Sequence, residues 1–431
     1  MLLKDLEMNC FTRNVFAVAT LSIALLALTS STVFAQASEC GKKRQAGTKA
    51  LDEVTWNQLN RVFENVGEKR YNEAYNQLQK MMARAGKTAY LRAILNQALA
   101  QVEWSRENYD PALKYFEKAV ELDALPDQAH FALMYQIAQL YFMKERYREA
   151  LDKLELWFCN SPRDKIKSSA FVLKASIYAQ REDYAETLKA IETAIDMDDD
   201  PKEQWYQLKL ASHFELKQYP QAAHTLELII TRWPQKKMYW TQLSQIYFNL
   251  KQDEEALAVI AIAYRKGLLD TQGDITYLSN LYSISDVPYK AALVLEKGIK
   301  DGVVESTRNH WTAVADSWYT AEEIENSLVA YENAGKASED GRIDLRRSYM
   351  LIDLERWPDA LKALNEALSK GGISEPKTGE AYLLRGMTQF NLENFDSASA
   401  DWGKAGRYDR TRDAAKQWKN HLREERQRKA L

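Results

Sequence analysis

The sequence predicts an all-α fold, a right-handed α-solenoid of about ten helical hairpins ended by a C-terminal capping helix. Three observations predict it. Turn formers are scarce, with 16 Gly and 9 Pro in 431 residues, while the helix formers Ala, Leu, Glu, Lys and Gln abound. A two-helix unit recurs from about residue 55 to 405, its copies starting near residues 55, 93, 131, 168, 203, 237, 272, 308, 341 and 379. At fixed offsets in that unit, side-chain size is held rather than side-chain chemistry, as close helix packing requires.

Residues 1–35 come first. Lys4 and Arg13 precede an apolar run from Val15 to Leu28, and Val33-Phe34-Ala35 puts small residues where a signal peptidase cuts. This reads as a cleaved secretory signal, cut after Ala35 or else Ala37, with Met8 as the alternative start. The run is shorter than the roughly 20 residues that span a bilayer, so no stable membrane insertion is expected after cleavage. Glu39 beside Cys40 does not fit a lipobox. A tail, residues 36–54, follows. With the leader gone, Cys40 and Cys159 remain; they are read as two free thiols, Cys159 buried, with a single disulfide as the alternative.

The array, residues 55–405, is recognised by three columns. Midway along each first helix stand Val62, Ala100, Ala138, Ala175, Leu210, Ser244, Ser279, Ala315, Ser348 and Gly386, mostly small. Early in each second helix every residue is small: Ala74, Ala112, Ala150, Thr187, Ala222, Ala256, Ala291, Ser327, Ala360 and Ala398. Four residues later every one is bulky: Leu78, Phe116, Leu154, Ile191, Leu226, Ile260, Leu295, Tyr331, Leu364 and Trp402. Small sites admit the partner helix and large ones fill the space between hairpins. Seven turns carry an aromatic, Tyr71, Tyr109, Tyr147, Tyr184, Tyr219, Trp357 and Phe395, and Pro126, Pro162, Pro201 and Pro234 mark hairpin exits.

The last segment, residues 406–431, is a basic capping helix with Ala414, Ala415, Trp418 and Leu422 on one side. From Lys404 onward ten Lys/Arg face four Asp/Glu, although the whole chain nearly balances 58 basic against 61 acidic residues. No global field favours nucleic acid, and no nucleic-acid partner is expected.

Catalytic signatures are missing. The five His are scattered, and neither HExxH, CxxC, a Gly-rich phosphate loop nor GxSxG occurs. Asp196, Asp198 and Asp200 imitate a calcium loop, but Pro201 replaces its Gly and Gln207 its bidentate Glu. No enzyme activity, cofactor or metal is therefore expected. First helices of a solenoid line its binding groove. Projected onto that groove are Gln97, Gln101 and Trp104; Tyr135, Gln139 and Phe142; Gln207 and Phe214; Thr241, Gln245 and Phe248; Asn280; and Asp316 and Tyr319. Amides pair with a peptide backbone through both donor and acceptor, and aromatics supply burial, so the expected ligand is an extended, largely uncharged peptide.

Trp240, Leu243, Ser244, Tyr247, Ala256 and Ala263, and again Tyr141, Tyr147, Ala150 and Pro162, resemble the tetratricopeptide repeat (TPR). Further stretches resemble an exported subfamily, the periplasmic TPR protein associated with a TonB energy-transduction system of Gram-negative bacteria. They are Cys40 to Arg44, Leu125-Pro126, Tyr239-Trp240, Ala263-Tyr264 with Gly267 to Leu269, Leu278 to Leu281, and Asp286 to Ala292. That resemblance implies a non-enzymatic periplasmic adaptor whose partners are TonB-system components of iron uptake. The alternative is a scaffold for outer-membrane or peptidoglycan assembly. It transfers no site residue and leaves the oligomeric state open.

Overall fold

A computed structural model describes residues 40, 41, 44 and 50–429; the leader read from residues 1–35 lies outside the described residues. The chain divides into two compact units, Met1–Trp205 and Tyr206–Leu431. All described regular structure is helical, twenty-one α-helices and two short 3-10 turns, with no strand among the described residues.

In the first unit the helices pair as α1 (Glu53–Gly67) with α2 (Tyr71–Arg84), α3 (Ala89–Ser105) with α4 (Tyr109–Glu121), α5 (Asp127–Met143) with α6 (Tyr147–Asn160), and α7 (Ser168–Gln180) with α8 (Tyr184–Asp196). In the second, α9 (Glu203–Glu215) precedes α10 (Tyr219–Arg232), and α11 (Lys237–Asn249) pairs with α12 (Asp253–Arg265). Then come α13 (Gln272–Ile284) with α14 (Pro288–Lys300), α15 (Arg308–Thr320) with α16 (Ile324–Lys336), α17 (Arg342–Asp353) with α18 (Trp357–Lys370), and α19 (Glu375–Asn391) with α20 (Phe395–Ala405). The C-terminal helix α21 spans Arg412–Lys429.

One turn design joins every hairpin. A residue in the left-handed region stands two positions before each second helix: Lys69, Glu107, Glu145, Glu182, Lys217, Lys251, Asp286, Glu322, Glu355 and Glu393, with φ between 55° and 64°. The next N–H donates to a carbonyl five residues back, as in Arg146 to Tyr141 at 2.9 Å and Arg356 to Leu351 at 2.8 Å. This is the Schellman closure of a helix end, normally built on glycine and here built on Lys, Glu and Asp. The aromatic at seven turns opens the second helix.

All thirty residues of the three columns are buried, which accounts for their size rule. Three of the four serines in these columns also bond across the hairpin, while Ser348 bonds the Leu345 carbonyl of its own helix at 2.7 Å. The Ser244 hydroxyl donates to the Ala256 carbonyl at 2.8 Å, Ser279 to Ala291 at 2.9 Å and Ser327 to Ala315 at 2.8 Å. Gly386 is required by Trp402, since a Cβ there would lie 2.4 Å from the indole nitrogen. Helix α21 buries Ala415 and Leu422, and its Trp418 stacks on Trp402 with ring centroids 5.4 Å apart.

The reading of two free thiols is corrected. Cys40 and Cys159 form a disulfide with Cα atoms 5.5 Å apart, and Cys159 is half-buried. Distance along the chain is no guide, because the tail lies back over the end of α6. There the Gly41 N–H donates to Asn160 Oδ1 at 3.0 Å. Arg44 holds the same tail to the α4–α5 connection.

Candidate peptide-binding surface

Successive first helices adjoin within each unit. The Tyr135 hydroxyl of α5 donates to the Ser169 carbonyl of α7 at 3.3 Å, Gln207 Nε2 of α9 to the Tyr239 hydroxyl of α11 at 2.7 Å, and the Ser244 and Tyr277 hydroxyls of α11 and α13 are 3.0 Å apart. Their outward faces therefore form a surface in each unit.

In the first unit this surface carries Gln97, Gln101 and Trp104 on α3 and Tyr135, Gln139 and Phe142 on α5, at helical spacings that share one face. The aromatics are partly sunk. Trp104 sits edge-on to Tyr109 at 5.8 Å, Tyr135 packs against Trp157 at 5.1 Å, and Phe142 lies 6.0 Å from Tyr147. Burial pushes the Tyr135 phenol above its ordinary range, so it stays a neutral donor. Gln101 is exposed and Gln97 and Gln139 half-buried, with no side-chain hydrogen bond from any of the three amides among the described residues.

Sequence reasoning missed Trp56 and Phe63 on α1 and Met143 on α5, all exposed on this same face. Their signal was the spacing of seven between the two aromatics, which puts both on one side of α1. It went unread because Asn65 displaces the expected aromatic and blurs the register of the first copy. The combined face, Trp56 and Phe63, then Ile94, Gln97, Gln101 and Trp104, then Ala132, Tyr135, Gln139, Phe142 and Met143, and then Ser169, Val172, Ser176 and Gln180, has no charged residue at these positions. The chain as a whole is 28% charged.

The second unit continues the chemistry with Phe214 on α9, Thr241, Gln245 and Phe248 on α11, and Asn280 on α13, joined by exposed Met238 and Ile284. Gln245 and Asn280 are exposed and their amides are unbonded among the described residues. Two predicted residues are already committed. Gln207 donates to Tyr239, and Asp316 accepts from the Tyr331 hydroxyl and pairs with Arg346 at 2.8 Å. Burial, then the Asp316 carboxylate, drives the Tyr331 phenol far upward. Tyr319 is exposed. Charge enters the second unit's face at exposed Glu215 on α9, at the repeat position of Ile284, and at Asp316 on α15, which is already paired.

Among the described residues no three His, Cys, Asp or Glu side chains gather as a metal site would need, and no described helix is long and apolar enough to cross a membrane.

Residues 98–159 and 346–420 match a tetratricopeptide repeat model. Over 201 residues, 46% of this chain, the sequence is 26% identical to a DnaJ homolog subfamily C member 7 homolog of Dictyostelium discoideum, and it spans about a third of that relative, 32%. Among solved structures, a tetratricopeptide repeat protein from Parabacteroides merdae is 13% identical with a TM-score of 0.36, covering 64% of this chain and 100% of its own. YrrB, a TPR protein with an unusual peptide-binding site, is 17% identical with a TM-score of 0.33, covering 43% and 89%. Scores of this size do not extend the likeness to whole arrays. The matches thus support tetratricopeptide repeats at residues 98–159 and 346–420, two segments in which the small-to-large helix packing recurs.

Proposed function

We propose that this protein is a non-enzymatic adaptor whose first-helix faces bind an extended, largely uncharged peptide segment of a partner protein. Tetratricopeptide repeats are in general protein- or peptide-binding scaffolds. One observation carries the reading here: a largely uncharged face in each unit, on which the unbonded amides of Gln101 and Gln139 in the first and of Gln245 and Asn280 in the second stand beside accessible aromatic and apolar side chains. Each amide can give and take a backbone hydrogen bond, and the apolar neighbours gain by losing water.

The setting is the periplasm. The leader over residues 1–35 and the Cys40–Cys159 disulfide both suit an oxidising compartment. Within it the partner is a component of a TonB-dependent transport system, on the strength of the subfamily resemblance. A pull-down with the mature protein tests this. Recovery of a TonB-system component supports it, and recovery of outer-membrane or peptidoglycan assembly proteins alone replaces it with the scaffold reading. The surface has its own test, calorimetric titration of the recovered peptide. Q101A/Q139A in the first unit or Q245A/N280A in the second should weaken binding about tenfold, since two backbone hydrogen bonds are lost. Unchanged affinity in both double variants would sink the assignment of the surface.

A further inference from the structure

In a repeat array each hairpin ordinarily touches only its neighbours. Cys40, Gly41 and Arg44 break that rule. Cys40 is bonded to Cys159 at the end of α6, Gly41 to Asn160 beside it, and Arg44 reaches the connection before α5. Arg44 is held more closely than a surface arginine. Its guanidinium donates to Asp123 Oδ1 at 2.6 Å, Asp127 Oδ1 at 2.7 Å and the Leu125 carbonyl at 2.8 Å, and lies over the Phe131 ring at 5.7 Å with its side chain only 9% exposed. The two anchors therefore grip opposite elements of one hairpin, the start of α5 and the end of α6. Cys40 itself is exposed.

We infer that Cys40, Gly41 and Arg44 anchor a dithiol-releasable strap that sets the local stability of the α5–α6 hairpin. The chemistry is a balanced exchange. A thiolate of an external dithiol attacks the exposed Cys40 sulfur, the protein S–S bond breaks, and Cys159 leaves as thiolate. The reductant's second thiol then closes its own disulfide and releases Cys40, so the protein gains two electrons that the dithiol loses. Without its covalent anchor the tail keeps the single Gly41–Asn160 hydrogen bond and Arg44, whose carboxylate partners are 58% and 61% exposed and open to competing water. The hairpin affected carries Tyr135, Gln139 and Phe142, and Trp157, two residues before Cys159, backs Tyr135. The inference stands apart from the peptide reading, because its test needs no ligand.

Amide hydrogen exchange of the full chain, oxidised and after dithiothreitol, decides it. Peptides from the start of α5 and the last turn of α6 should exchange about tenfold faster on reduction, and peptides from α11 to α14 should not change. Cys40→Ser should show the fast exchange without reductant and no further response to it. Arg44→Ala should speed exchange around residues 123–131 with the disulfide intact. A disulfide that resists dithiothreitol in the native protein, equal exchange in both redox states, or a dithiothreitol response surviving in Cys40→Ser would each overturn the strap.

Discussion

Hairpins α3–α4 and α5–α6 in the first unit and α17–α18 and α19–α20 in the second share one backbone plan and are fastened by different chemistry. The first pair is packed with Phe116, Leu133, Ile137, Leu140, Leu154 and Trp157, and its buried carboxylate, Glu103, stays within its own turn, bonding Arg106 at 2.9 Å and Asn108 at 2.7 Å. The second pair drives ion pairs through the helix contacts. Asp344, 1% exposed, meets Lys370 at 2.6 Å, Arg347 meets Glu332 at 2.9 Å, and Arg385 grips Asp401 with two bonds of 2.6 and 2.7 Å. Even the missing side chain of Gly335 belongs to this design, since a Cβ there would sit 2.2 Å from Asp344 Oδ1. The difference teaches that the repeat fixes volumes and leaves the means of filling them open. An apolar filling and a charged one satisfy the same geometry, but they respond differently to truncation and to acid.

Truncating a buried charge separates them most. Asp401→Ala leaves the Arg385 guanidinium, 16% exposed, without its fork, and the second unit should lose about 3–5 kcal/mol in urea unfolding. Replacing both Arg385 and Asp401 by Leu should restore most of that loss. In the first unit Glu103→Ala leaves Arg106, 25% exposed, able to rehydrate, at a cost of about 1–2 kcal/mol. Equal losses at the two sites would erase the distinction.

Acid should separate them next. Burial, and after it the Arg44 guanidinium, pushes the His130 imidazole from 6.5 down to about 4, against the opposing pull of Asp123 and Asp127. Between those values the unfolded chain binds more protons than the folded one, so stability rises with pH and is lost as pH falls from 6.5 through 4. At about 1.4 kcal/mol per unit, the whole shift is worth at most a few kcal/mol. In the second unit, Asp340 is held down to about 2 by its bonds to Arg342, so its contribution survives until the pH drops below 3.8 and fades towards 2. Hydrogen exchange at pH 7 and 5, corrected for intrinsic rates, should thus show α5 softening while α17 holds. His130→Gln should abolish the softening, and a pH response unchanged in that variant would refute the assignment.

The repeat was legible in the sequence because helix contact dictates size directly: a residue such as Ala138 or Ala256 cannot grow without separating two helices. The ion pairs were not legible. Asp344, Arg347 and Asp401 look like ordinary surface charges until the fold brings Lys370, Glu332 and Arg385 against them. The disulfide was left as the alternative for the same reason, because only the folded contacts of Gly41 with Asn160 and of Arg44 with Asp123 and Asp127 reveal that the tail lies back across α5 and α6. In the candidate surface, residue type alone could not tell the unbonded Gln101, Gln139 and Gln245 from Gln207, which is already bonded, or mark Asp316 as neutralised. Trp56 and Phe63 were hidden by the weak register of the first copy.

The turns offer the smallest effect and the sharpest control, because there the two regions are alike. Glu145, between α5 and α6, has φ 57°, and Glu355, between α17 and α18, has φ 55°. An L residue with a Cβ is strained in this region and glycine is not, although glycine loses more backbone freedom on folding. The first effect should exceed the second at a helix end closed by a Schellman bond, so Glu145→Gly and Glu355→Gly should each stabilise their unit by about 0.5–1 kcal/mol. Equal gains in urea unfolding would confirm that the backbone plan is common and that only the filling differs. A gain at Glu145 with a loss at Glu355 would mean that the charged hairpins strain their turns as well, and the comparison would then extend from side chains to backbone.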